Sequence, residues 1–298
     1  MRQLRAGVAG AGVFGGFHAR KYAELPGVAL AGVFDPHGER ARAAAEPLGG
    51  RGFDDLTALL AEIDVLTVAA PAAAHAELAL AALAAGKAVY VEKPLAVTLD
   101  QADRLVAEAA RRGLVLACGH QERTVFAAMG LLAVEERPVA VEAVRLGTPS
   151  DRNRDVSCVL DLMIHDLDLA LQLARSEPLA VEAEGGFDHV RAEVTFETGY
   201  AAVLEASRAA PARSRTMRVL YGSGAVEVDF LAPSFRNGST HPLDAAFAQS
   251  PAGRDPLGVS VAAFLAAVRG DAPRPAVTGP EAARALDLAL AVEHAAGL

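Results

Sequence analysis

The chain has 298 residues, 52% hydrophobic and 22% charged, with a formal net charge of −9. That composition buries a sizeable core and excludes a largely disordered chain, and its acidic balance gives no general attraction to nucleic acid or to an anionic membrane surface. The two cysteines, Cys118 and Cys158, fall outside any metal-ligand spacing and are expected as reduced core thiols. The N-terminal run MRQLRAGVAG lacks the apolar segment of a secretion signal. The most apolar later stretch, 65–86, is interrupted by Pro71, His75 and Glu77, so no membrane span and a cytoplasmic protein are expected.

In chain order, an apolar strand over 4–9 leads into GAGVFGG and a helix ending near residue 22. Further strands are predicted over 28–34, at Phe53, and over 65–69, 89–91 and 114–118; helices are predicted over 39–46, 56–60, 72–85 and 99–112. Thr98 and Gln101 form a capping box for the last of these helices, and Gly113 suits its left-handed C-terminus. Strands and helices that alternate with short links specify a parallel sheet covered on both faces. A boundary near Cys118 divides the chain into domains 1–118 and 119–298.

The second domain reads differently. A helix over 125–133 and a strand over 139–146 precede the irregular GTPSDRNRD and an apolar helix over 157–174. Strands then follow without helices over 179–184, 190–197, 200–207, 216–221 and 225–230, with Thr198-Gly199 and Ser223-Gly224 as hairpin turns. This predicts an α+β domain with an open, mainly antiparallel sheet. Alternation in RAEVTFE leaves one sheet face for solvent or for subunit contact. A helix over 259–268 and a final helix opened by Thr278 and Glu281 close the chain, the final one positioned to pack back on the first domain.

Gly10, Gly12 and Gly15, with Val13 and Phe14 between them, form a GxGxxG between a strand and a helix. The first glycine permits a tight turn, the second a close approach of pyrophosphate, and the third close helix–strand packing. Asp35 ends the second strand about 20 residues further on, where a carboxylate binds ribose hydroxyls and repels a 2′-phosphate. Pro36 and His37 follow it, with no adjacent arginine, so NAD is expected over NADP. For the glycine motif alone, an S-adenosylmethionine site is the rival.

Glu92-Lys93-Pro94 follows the fifth strand, where ligands collect outside the strand ends. In DLMIHDLD, Asp161 and His165 are four apart on an apolar helix and Asp168 lies three further on. Lys93 suits stabilising an alkoxide, His165 suits taking its proton, and Asp161 suits orienting His165 or meeting substrate. No HExxH or comparable ligand set is present, so no metal is expected. Both segments also read as ordinary loop charge and as a hydrogen-bonded helix face.

Taken together and in order, AGVAGAGVFGGFHARKYAELPGVALAGVFD, APAAAHAELALAALAAGKAVYVEKPLAVTLDQA, DLMIHDLD and VTGPEAARALDLALAVEHAAG resemble the glucose–fructose oxidoreductase/inositol dehydrogenase/MocA (Gfo/Idh/MocA) family over nearly the whole chain. The resemblance implies a Rossmann domain, an open-faced α+β domain, substrate bound between them, and a homodimer or homotetramer. It implies NAD-dependent oxidation of a secondary hydroxyl on a sugar-like substrate, with Lys93, Asp161 and His165 as the catalytic set. It also places Ala70, Pro71, His75, Glu92 and Gln121 near the nicotinamide half of the cofactor. Departures from the family pattern at Val156-Ser157-Cys158, at Met163 and across Gly119-His120-Gln121-Glu122-Arg123 bear on the substrate pocket.

Arg123, Arg152, Asn153 and Arg236 are candidate substrate contacts, with Arg145 and Arg154 in the same set of guanidinium groups. Guanidinium forks suit phosphate or carboxylate, which would make the substrate anionic: a sugar acid or a nucleotide sugar. The competing reading is surface charge balanced by Asp151 and Asp155. The chain is also similar to family members that oxidise UDP-N-acetylglucosamine at the 3-position. The alternative function is a non-catalytic NAD(P)-binding regulator, which has no need of Lys93, Asp161 and His165 together.

Overall fold

A computed structural model describes residues 3–150 and 155–298. Arg152, Asn153 and Arg154 therefore lie outside the described residues. The chain divides into two compact units, Met1–His120 with Leu257–Ala283, and Gln121–Pro256 with Arg284–Leu298.

The first unit is built on six parallel strands, β1 (Leu4–Ala9), β2 (Val28–Phe34), β3 (Arg51–Phe53), β4 (Val65–Val68), β5 (Ala88–Val91) and β6 (Leu116–Cys118). Their spatial order is β3-β2-β1-β4-β5-β6, with the order reversing beside β1. Every residue of β4 and β5 is buried, as expected where helices cover both faces of a parallel sheet. The helices are α1 (Val13–Glu24), α2 (Gly38–Ala45), α3 (Leu56–Glu62), α4 (His75–Ala84) and α5 (Leu99–Arg112). Thr98 Oγ1 accepts a hydrogen bond from the Gln101 N–H and Gly113 takes φ +65°, as predicted for the two ends of α5, but Gln101 Oε1 accepts from the Val97 N–H, one residue before the position that would complete the capping box. The predicted helix over 72–85 begins as a 3₁₀ turn, Ala72–Ala74, before α4.

The second unit carries a seven-stranded sheet: β7 (Ala140–Leu146), β8 (Pro178–Gly186), β9 (His189–Phe196), β10 (Ala201–Ser207), β11 (Ser214–Tyr221), β12 (Gly224–Asp229) and β13 (Ser234–Asn237). The order is β13-β12-β11-β7-β10-β9-β8. All pairs are antiparallel except β7 with β10, which run parallel. Local turn signals do not reveal that exception, because β10 returns to β7 only after a helix and two further strands. One face of β9 is buried and the other exposed in strict alternation over most of its length. Its helices are α6 (Glu122–Met129), α7 (Ile164–Ala174) and the short α8 (Pro251–Arg254).

Two features differ from expectation. The apolar helix over 157–174 starts as a π-turn, Val159–Met163, before becoming α7, a distortion that recurs at functional sites. Further along, α9 (Pro256–Arg269) returns to the first unit, where Val261, Phe264 and Leu265 join a core with Ala6, Val8, Val33 and Tyr90. The final helix, α10 (Gly279–Ala295), has its first turn in the first unit and the remainder in the second.

Candidate active site

Because β1, β2, β4 and β5 are parallel, the residues that follow them share one edge of the sheet. Gly10, Asp35, Ala70, Pro71, Glu92 and Lys93 therefore gather there, at the point where the strand order reverses. Gly10 has φ +108°, and a Cβ there would meet the Ala69 carbonyl oxygen at 2.5 Å. A Cβ on Gly15 would stand 1.8 Å from the Gly10 oxygen, so only glycine lets α1 lie this close to β1. Gly12, by contrast, faces open space, with nothing within 4 Å of its missing Cβ. It is the N-cap of α1 and offers no side chain to the helix N–H groups, and the first turn carries no acid. An open cradle before a helix N-terminus fits a pyrophosphate. Val13 remains 61% exposed beside it, and Phe14 packs edge-on against Phe17.

Asp35 is buried and fixed by two backbone donors: its Oδ2 accepts from the Ala11 N–H and its Oδ1 from the His37 N–H, each at 3.0 Å. This holds the carboxylate next to the glycine loop, as ribose recognition requires. The expectation of no arginine nearby needs correcting. Arg40 Nη2 lies 3.7 Å from Asp35 Oδ2, because the first turn of α2 carries it back toward the strand end. Asp35 thus restrains a cation that suits a 2′-phosphate. Asp35→Ser should move the NADP-to-NAD preference ratio by roughly tenfold or more, the scale of one charge-assisted hydrogen bond. Arg40→Ala in that background should reverse the gain, read from the two cofactor dissociation constants.

His75 is buried, with Nδ1 2.7 Å from the Pro94 carbonyl oxygen and Nε2 2.9 Å from that of Ala70. Burial pushes its pKa down despite those two carbonyls and the Glu92 charge. The ring ties the segment after β4 to the segment after β5, so its influence on a cofactor passes through Ala70 and Pro94. Glu92 is also buried, with Oε1 2.7 Å from Nε2 of His18 on α1. Burial alone would raise the Glu92 carboxyl, but the His18 hydrogen bond and the charges of His18, Lys93 and His75 hold it below its usual value. Gly119 leaves room for that carboxylate, which a Cβ there would meet at 2.7 Å. Lys93, immediately after Glu92, is partly exposed.

In the second unit, His165 sits in the first turn of α7, with Nδ1 2.7 Å from Oε2 of Glu122, the first residue of α6. Arg145 on β7 reaches Glu122 Oε1 at 3.0 Å and grips both oxygens of Asp166 at 2.7 and 2.9 Å. Its guanidinium also lies 5.5 Å from the centre of the Phe230 ring. Burial opposes ionisation of Glu122, yet the charges of His165 and Arg145 hold its carboxyl well below the usual range. The chain runs Asp166, Arg145, Glu122, His165: a relay of alternating charge, buried at Asp166 and Arg145, that ends on the partly buried imidazole.

From the sequence Asp161 is expected to orient His165 or to meet substrate, and Glu122 has no role beside His165. In the structure Asp161 belongs to the π-turn, and its Oδ2 lies 3.9 Å from Nη1 of Arg208, just past β10. Asp168, expected beside His165, is instead buried in a two-pronged pair with Arg123, at 2.6 and 2.7 Å. That pair also corrects the expectation for Arg123 as a substrate contact, since its fork is committed to a carboxylate inside the unit. Arg236 is corrected too. It lies on β13, 86% exposed, in a cross-strand ladder with Glu227, Arg218 and Glu142. Glu142 is three residues from Arg145 along β7, so this ladder occupies the sheet face opposite the one that carries α7. Gln121 precedes α6 and is partly exposed. Among the described residues no cluster of His, Cys, Asp or Glu is arranged for a metal ion, and no helix is long and apolar enough to cross a membrane.

A dinucleotide cradle on a 3-2-1-4-5-6 parallel sheet, joined to a second domain with a histidine–carboxylate pair, defines a nicotinamide-dependent oxidoreductase. The family model described as "Oxidoreductase family, NAD-binding Rossmann fold" matches residues 4–120, and the GFO/IDH/MocA C-terminal domain matches residues 145–227. The chain belongs to the GFO/IDH/MocA family, and its first unit is the NAD-binding Rossmann domain. It is similar to UDP-N-acetylglucosamine 3-dehydrogenase of Acidithiobacillus ferrooxidans, at 40% identity over 238 residues, 78% of this chain and 75% of that one. The solved structure of a protein of that name from the same organism matches with a TM-score of 0.90 and 37% identity, covering 99% and 98% of the two chains. The WlbA dehydrogenase of Bordetella pertussis, in complex with NADH and UDP-GlcNAcA, shares the fold at a TM-score of 0.87 and 20% identity, covering 99% and 96%.

Proposed function

We propose that this chain oxidises a secondary hydroxyl of a nucleotide sugar of the UDP-N-acetylglucosamine type to a ketone, with NAD as oxidant. The observation that carries the reading is the Glu122–His165 pair. With Nδ1 turned to Glu122, the opposite ring nitrogen, Nε2, becomes the proton acceptor. His165 removes the hydroxyl proton, and Lys93 holds the same oxygen and offsets its developing negative charge. Asp161 orients a neighbouring hydroxyl of the sugar. NAD, when bound, supplies the acceptor for the hydride that leaves the carbon. The cradle at Gly12 and the oriented Asp35 carboxylate fit its pyrophosphate and ribose. The similarity to UDP-N-acetylglucosamine 3-dehydrogenase supports the substrate class and carbon 3 of the sugar as the position oxidised.

The test is absorbance of reduced nicotinamide with NAD or NADP against UDP-N-acetylglucosamine, N-acetylglucosamine, myo-inositol and glucuronate. We expect turnover with NAD and the nucleotide sugar, and far slower turnover with the neutral compounds. Equal rates on inositol would overturn the substrate class. Silence across the panel with intact NAD binding would instead favour a regulator. The reading includes a cytoplasmic setting and a homodimer or homotetramer. The solvent-facing side of the seven-stranded sheet, where Val203 is 38% exposed, is the surface for self-association. Light scattering behind size exclusion checks this, and a monomer at micromolar concentration would contradict it.

A further inference from the structure

The end of the seven-stranded sheet where β7 and β10 finish and β11 begins is rich in guanidinium groups. Two of them have counter-charges. Arg145 is held by Asp166 and Glu122. Arg208 donates from Nε and Nη2 to Asp188 Oδ1 at 3.0 and 2.7 Å. Arg215 is different. It stands directly opposite Arg145 in the β7–β11 register, so its side chain leaves the sheet on the face that carries α7 and His165. It is half-buried, and the charged groups around it are Arg145, Glu122, Arg213 and Asp166. Among the described residues its guanidinium has no hydrogen bond or ion pair, and neither has that of exposed Arg213, which lies just before β11.

The contrast with Arg218 on the same strand is informative. Arg218 is 46% exposed on the opposite face, yet lies 3.3 Å from Glu142 and 3.9 Å from Glu227. Water would have solvated that arginine adequately. The half-buried Arg215, which gains more from a carboxylate, has none of its own among the described residues. Burial first, then the like charges of Arg145 and Arg213, push the Arg215 pKa down. A cation kept partly out of water without a counter-ion costs free energy, and the cost is removed when an external anion arrives.

We propose that Arg215, assisted by Arg213, is the anion subsite of the substrate pocket, and that it takes a phosphoryl group attached to the sugar presented to His165. The inference rests on the nucleotide-sugar reading above and assigns residues to its anionic half. A planar fork that pairs two oxygens at once suits a diphosphate and does not suit an uncharged sugar.

The test is calorimetric titration of the full chain, preloaded with NADH, with UDP-N-acetylglucosamine, N-acetylglucosamine 1-phosphate, UDP-glucuronate and N-acetylglucosamine. Arg215→Gln should weaken both UDP-sugars and the sugar phosphate by about 10–100-fold, the scale of a charge-assisted pair, and in turnover the loss should fall on KM more than on kcat. Arg215→Lys keeps the charge without the fork and should lie between wild type and Arg215→Gln. Arg213→Gln should show a smaller loss, and Arg218→Gln on the other face none. Unchanged NADH affinity and melting temperature separate this from a structural role. Wild-type affinity in Arg215→Gln, or an equal loss for neutral N-acetylglucosamine, would overturn the proposal. If the wild type binds the nucleotide sugar without reducing NAD, the reaction reading fails while the Arg215 comparison still decides the subsite. If it binds no phosphorylated sugar at all, the subsite is overturned too.

Discussion

Hydride transfer to NAD should fall by about 10²–10⁴-fold in a His165→Ala variant, the usual worth of a positioned general base, with NAD affinity preserved. The affinity survives because Gly10, Gly12, Gly15 and Asp35 belong to the first unit and are untouched. Lys93→Met should lose activity on a similar scale, since the alkoxide then forms without a cation. Near-normal turnover in both variants would remove the catalytic assignment. Glu122→Gln is the finer probe, because it keeps the shape of the side chain while deleting its charge. The imidazolium lowers the Glu122 pKa, so by reciprocity the carboxylate stabilises the imidazolium. Deleting that charge should move the acidic limb of the kcat/KM profile to lower pH and lower its plateau. A merely structural role would reduce the amount of active enzyme and leave the limb in place.

Arg145→Ala should be among the most damaging single changes to stability, about 3–5 kcal/mol, as expected when one partner of a buried charge set is removed. Arg145 is 1% exposed and is shared by Asp166 and Glu122, which would be left as a buried and a partly buried carboxylate without their cation. For a chain of this size, each kcal/mol corresponds to roughly 2–4 °C in melting temperature. Adding Asp166→Leu to Arg145→Met should recover part of the loss, since the pair is then replaced by apolar volume. Removing Arg218, on the exposed face, should change stability by under about 0.5 kcal/mol. Equal losses for Arg145→Ala and Arg218→Ala would contradict the buried relay. The relay also gives stability a pH sign. Glu122 titrates well below an ordinary carboxylate, so its contribution is fully present above the unfolded-state value near 4.3. That contribution is lost as pH falls through the lower folded-state value.

Much of the fold was legible because its signals are local. The spacing of Gly10, Gly12 and Gly15, the carboxylate at the end of the second strand, and Thr98 with Gly113 around one helix each state a backbone geometry within a few residues. The site was legible only in part, because its wiring is long-range. Asp161 and His165 are four apart, and an unbroken α-helix would have stacked them. The π-turn breaks that rule, and no residue type in VLDLM announces it. Glu122 pairs with His165 across the fold of the second unit, so nothing near His165 in the chain points to it. One signal was present: Arg145 sits in the apolar strand VEAVRL, and Asp166 and Asp168 sit in an apolar helix, so these buried charges required opposite partners. Arg123 could have served substrate or protein equally well by sequence; only its bidentate contact with Asp168 decides. The role of Arg40 is not legible from the sequence, since its approach to Asp35 depends on the first turn of α2.

The most direct test of the central claim is to supply UDP-N-acetylglucosamine carrying deuterium at sugar carbon 3, with NAD and the full chain, and to follow the label by mass spectrometry and proton NMR. The account predicts a 3-keto nucleotide sugar and one deuterium on the nicotinamide ring for each molecule oxidised, with both products absent in His165→Ala. Deuterium retained in the sugar while NAD is reduced would place the oxidation at another carbon, and reduction that continues undiminished without His165 would contradict the mechanism itself.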